Sequence, residues 1–113
     1  MKLQLAETMA KDLMGFYGLG DWNFQFDNAV RRLGLTRFSS RTISLSAPCT
    51  TVAVNPAQVL NTILHEIAHA LVGVTHGHDD TWRLQAISIG CDGQRCTEAD
   101  PIPGKYAIKC LAC

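Results

Sequence analysis

The stretch NPAQVLNTILHEIAHALVGVTHGHDDTW, residues 55–82, holds all four histidines of the chain: His65, His69, His76 and His78. Its first part reads as a helix. Asn55 can cap it, Pro56 suits its first position, and Gly73 suits its end. Residues four apart on a helix lie one above the other, so His65 and His69 can present two imidazoles to one point. Glu66 follows His65 and projects about 100° around the helix, near a metal held by that pair but free of it. HExxH therefore predicts a zinc site with Glu66 as general base: zinc lowers the pKa of a bound water to about 7, and a carboxylate takes its proton as the water attacks a carbonyl. Ile63, Leu64, Ile67, Ala68, Leu71 and Val72 make the rest of this helix apolar. Two histidines and a glutamate buried there without partners would be costly.

A catalytic zinc usually has three protein ligands. The spacing H-E-x-x-H-x-x-G-x-x-H would need Gly at 72 and His at 75, where the chain has Val72 and Thr75. The residues leave several third ligands open: His76, His78, or a carboxylate from Asp79, Asp80 or Glu98.

Outside this stretch, Leu3, Ala6, Met9, Ala10, Leu13, Met14 and Tyr17 recur at helical spacing over residues 3–17. GLGDW breaks that pattern. WNFQFDNA alternates Trp22, Phe24 and Phe26 on one face, as a strand does. A turn follows, then a strand in which Ile43 and Leu45 alternate with Thr42 and Ser44. DDTWRLQAISIG reads as a short helix capped by Asp79 or Asp80 and closed by Gly90. The chain after Gly90 reads as irregular. Strands grouped before helices predict an α+β fold: a small antiparallel sheet of two to three strands on three helices. The expected division is a domain over residues 1–90 and a cysteine-containing tail over 91–113.

The 113 residues, 47% apolar and 18% charged, suit one folded domain. No apolar run is long enough to span a membrane, and Glu7, Lys11 and Asp12 stand where a signal peptide would be apolar. A cytosolic location is expected, in a bacterial or phage-infected cell given the small size. Five cysteines there are expected as thiols or metal ligands rather than disulfides. Net charge is zero, so composition gives no general pull toward nucleic acid. A weak basic zone remains, because Arg31, Arg32, Arg37 and Arg41 fall in a segment without Asp or Glu.

NTILHEIAHAL, a short gap and GHDDTW together resemble the SprT-like zinc metallopeptidases, the group that includes the Spartan proteases. Their pattern is HExxH, a variable loop, then Gly-His followed four residues later by an aromatic. Gly77, His78 and Trp82 match it. WNFQFDNAVRRLGLTRFSSRTISLS is similar to the family upstream, so the resemblance runs from about Trp22. It implies a zincin-like fold, zinc on His65, His69 and His78, Glu66 as base, a protein or peptide substrate, and a role on DNA or DNA-bound proteins. Trp82, one turn into the following helix, would anchor the third ligand in the core. His76 is then spare: a loop residue, an exchangeable ligand, or a group in the cleft that polarises the substrate carbonyl. The rival expectation is a zinc-containing DNA- or protein-binding adaptor without turnover.

YAIKCLAC is similar to the start of the C-terminal zinc ribbon of many SprT-like proteins. Cys91, Cys96, Cys110 and Cys113 form C-x4-C and C-x2-C pairs, a candidate second, structural zinc site. Cys49 stands apart, expected as a small, partly buried residue.

Overall fold

The computed structural model describes residues 1–95 in full, and residues 97–101 and 109–112 as backbone. Helix α1 spans Leu3–Phe16 and turns Ala6, Ala10 and Met14 inward, a stripe of four-residue spacing whose small side chains allow close packing. Three strands follow: β1 (Asn23–Asp27), β2 (Gly34–Arg37) and β3 (Thr42–Ser46). A short helix α2 (Ala47–Val52) leads to α3 (Pro56–Val72) and α4 (Asp80–Ser88). The backbone of β4 (Thr97–Pro101) pairs antiparallel with β5 (Lys109–Ala112).

The three-stranded sheet has the order β1-β3-β2. It is mixed, not antiparallel as expected: β3 runs antiparallel to β2 but parallel to β1. The cause lies in the segment between β1 and β2. Asp27 accepts from Ala29 N–H at 3.0 Å and pairs with Arg32 at 3.1 Å, which bends the chain as it leaves β1. The chain then passes over the end of β3, where Ser46 N–H donates to Leu33 O at 2.8 Å and the Ser46 hydroxyl donates to Ala29 O. It comes down on the far edge as β2. Alternation assigns faces to strands but says nothing of which strand lies between the others. As the central strand, β3 is buried along its whole length, Thr42, Ser44 and Ser46 included.

Helix α2 was not anticipated. Ser46 caps it by accepting from Cys49 N–H at 3.0 Å, and Pro48 lies in its first turn. Cys49 is buried there and disulfide-bonded, against the expectation of a thiol. Cysteine pairing depends on which segments meet in space, and α2 packs against β4. The β4–β5 pairing likewise replaces the irregular tail expected after Gly90.

Helix α3 has the expected cap: Asn55 accepts from Ala57 N–H at 3.0 Å. It stops at Gly73, whose φ of 96° a side chain would resist, while Gly73 N–H closes on His69 O. Its two sides carry two apolar clusters. Val59, Ile63 and Ile67 meet Ile43, Leu45 and the α1 stripe; Leu64 and Ala68 meet Trp82, Ala86 and Cys91. β2 reaches α3 closely only because residue 34 is glycine. A Cβ there would fall 2.8 Å from Thr62 Cγ2 and 3.0 Å from Glu66 Cγ. Among the described residues no helix is long and apolar enough to cross a membrane.

Candidate metal centre

His65 and His69 leave α3 side by side, and the loop after Gly73 brings His78 to meet them. His78 Nε2 lies 3.0 Å from His65 Nε2 and 3.1 Å from His69 Nε2. The three ligand atoms fall within 4.8 Å of one another. Nitrogens sharing a tetrahedral zinc at about 2.0–2.1 Å stand about 3.3 Å apart, so the two separations from His78 need only a slight spreading to hold one. The chemistry agrees. One imidazole nitrogen cannot satisfy two others with a single proton or lone pair, whereas a cation at their centre satisfies all three.

Protonation also suits a metal. Burial, then the neighbouring histidines, lowers the pKa of His65 from 6.5 to about 3. Burial and His78 lower that of His69 to about 4. His78 is lowered too, by burial and then by Arg95. Ligand imidazoles must be neutral, and these are held neutral.

Trp82 packs on all three rings. It stacks on His69 at 5.1 Å and 20°, lies 4.5 Å from His65 and meets His78 edge-on at 4.8 Å. Its indole N–H donates to His65 O at 3.2 Å. Asp79 Oδ1 accepts from Trp82 N–H at 3.0 Å, capping α4 directly after His78. Trp82 is therefore both a core residue of α4 and the wall that orients the imidazoles.

Glu66 is buried, 2% exposed. Its Oε1 accepts from the Thr36 hydroxyl at 2.9 Å. Its Oε2 has no hydrogen-bond partner and lies 4.0 Å from His65 Nε2. Burial raises its pKa from 4.5 to about 8, opposed by the Thr36 hydrogen bond and by Arg32. A carboxyl that can hold or release a proton near neutrality, with one oxygen unpartnered beside three converging imidazoles, is equipped for general acid–base chemistry.

A model of the SprT-like family matches residues 4–100. The chain belongs to the SprT-like family. No curated protein and no solved structure matches it. The match takes in α1, ahead of Trp22. The SprT-like chain thus carries a histidine triad able to hold a metal ion, on a small α+β fold.

The remaining candidates separate. His76 is outside the triad. It lines a cleft of about 220 Å³ with Leu35, Thr36, Phe38, Glu66 and His69. Its Nδ1 pairs with Asp79 Oδ2 at 2.7 Å. Asp79, once a candidate ligand, is thus spent on the α4 cap and on His76. Cys91 is a buried free thiol packed with Trp82 and Ala86, its pKa raised by burial. The side chains of Cys96, Cys110, Cys113 and Glu98 lie outside the described residues, and with them the four-thiolate site. The basic zone is partly neutralised: Asp27 pairs with Arg32, and Asp21 with Arg41 at 2.7 Å. Arg31 and Arg37 are left exposed. The sequence reading missed Thr36 and Gly34, the residues that seat Glu66. Neither carries a local signal, since their partner is some thirty residues away.

Proposed function

We propose that this SprT-like chain is a zinc-dependent endopeptidase. The observation that carries the reading is the unpartnered Oε2 of a buried Glu66 beside three converging imidazoles. A structural zinc site has no use for such a group, and burying it costs stability. His65, His69 and His78 would hold the ion. A bound zinc supplies a Lewis acid and a water acidified toward neutral pH.

The chain's own groups do the rest. Glu66 takes a proton at Oε2 as water attacks the peptide carbonyl, then passes it to the leaving amine. Thr36 stays hydrogen-bonded to Oε1 throughout. The cleft between β2 and α3, walled by Leu35 and Phe38, receives the peptide, with His76 facing the same space. The substrate class proposed is unfolded or accessible protein, with DNA-bound protein as the particular case that family membership suggests.

The test is zinc content and cleavage of an unfolded protein, with and without DNA, for wild type and Glu66→Gln. Equal zinc in both, with cleavage by wild type alone, supports the reading. Equal zinc with cleavage by neither supports the non-catalytic adaptor instead.

A further inference from the structure

Thr36 is neither a ligand nor the base, yet its hydroxyl bears directly on the base. Oγ1 lies 2.9 Å from Glu66 Oε1 and 3.0 Å from the main-chain O of the same residue. The single hydroxyl proton is shared between these two acceptors of one residue, which holds Thr36 against α3. Among the described residues it is the one hydrogen-bond donor to this carboxylate. Gly34, two residues back and so on the same face of β2, leaves the room: a Cβ there would stand 3.2 Å from Oε2. One strand thus pins Oε1 and clears space for Oε2.

The position so held is informative. An oxygen sharing a tetrahedral zinc with three imidazoles would lie about 3.3 Å from each ligand nitrogen. Oε2 stands 4.0 Å from His65 Nε2, just outside that distance. A small rotation of the side chain would carry it inward, and nothing bonds Oε2 to prevent this.

We propose that Thr36 is a positioning residue that tethers Glu66 outside the metal's ligand set, so that the carboxylate serves as a base and not as a fourth ligand. This rests on the metallopeptidase reading. It makes affinity and turnover move in opposite directions. Once untethered, Glu66 joins the three imidazoles, so the metal is held more tightly while the base is lost. A residue that only supports the fold would weaken both together.

The experiment compares wild type, Thr36→Val, Thr36→Ser, and Thr36→Val in a Glu66→Gln background. Zinc affinity is read by competition with a chelator, the ligand set by the visible spectrum of the cobalt-substituted protein, and turnover on an unfolded protein. Thr36→Val is expected to bind zinc about tenfold more tightly, with a changed cobalt spectrum. Its kcat falls about 10- to 100-fold at unchanged KM, a share of what a general base contributes. Thr36→Ser restores wild-type values, and without the carboxylate the valine no longer tightens zinc. If Thr36→Val does not fold, Thr36→Ala takes its place. Unchanged affinity and spectrum, or affinity and turnover falling together, overturn the proposal. If affinity and spectrum respond but even wild type cleaves nothing, the tether stands and the peptidase reading falls. If wild type cleaves and the valine variant matches it in every measurement, the tether falls and the peptidase reading stands.

Discussion

Glu66→Gln is expected to stabilise the metal-free protein at neutral pH, although it removes the residue assigned to chemistry. The folded-state pKa of Glu66 is raised from 4.5 to about 8 by burial. Between those values the unfolded chain gives up the proton while the folded chain keeps it. Stability therefore falls as pH rises through this window. At about 1.4 kcal/mol per pH unit, the deficit at pH 7 is about 3 kcal/mol, and near pH 4.5 it vanishes. Glutamine keeps the shape, carries no proton to lose, and still accepts from Thr36. Urea unfolding of zinc-stripped wild type and Glu66→Gln at pH 5 and pH 7 measures the difference. The variant should be more stable by about 3 kcal/mol at pH 7 and by under about 1 kcal/mol at pH 5. A gap of the same size at both pH values, or a variant less stable at pH 7, would refute the claim that Glu66 is buried at a cost. If the claim holds, the fold gives up stability to keep a buried carboxyl beside the triad, the kind of trade made between stability and function.

Other predictions concern the ligands and their support. His78→Ala should lose the bound zinc and His76→Ala should keep it, by metal analysis after dialysis; the reverse would move the third ligand to His76. His65 and His69 have depressed pKa values, near 3 and 4, so the folded metal-free chain binds fewer protons than the unfolded one below pH 6.5. Its histidine-linked stability should be full above pH 6.5 and decline as pH falls toward 4, with histidine protonation tracking loss of helical circular dichroism; protonated rings in a still-folded protein at pH 5 would contradict this. Trp82→Phe removes the bond to His65 O and should weaken zinc about tenfold or more, by chelator competition, because the ligand helix loses its anchor. Gly34→Ala places a Cβ 2.8 Å from Thr62 Cγ2 and should cost about 1–3 kcal/mol in urea unfolding, with kcat falling more than KM rises.

Much of the site could be read from local spacing. Asn55, Pro56 and Gly73 bound α3, and the interval between His65 and His69 puts two imidazoles on one face, because capping and helical periodicity involve only near neighbours. A cap of α4 at Asp79 or Asp80, and Trp82 one turn on, were legible for the same reason; the structure uses Asp79. The sheet was not. Trp22, Phe24 and Phe26 show a strand and its inner face, but the parallel pairing of β1 with β3 depends on the crossing held by Asp27 and Ser46. Nor did the acid-free segment reveal that Asp21 and Asp27 would return to neutralise two of its arginines.

By itself the sequence determined the helix that carries the site, the pairing of His65 and His69 on one of its faces and the placing of Glu66 beside them, since these follow from residue types at helical intervals. Only the tertiary structure decided that His78 completes the triad by contact, that His76 turns to Asp79, and that Glu66 is seated by Thr36 and Gly34 with one oxygen free. Those relations join β2, α3 and the loop before α4. Hydrogen bonds and close packing act through space between elements, and no local pattern in the chain encodes the distance between them.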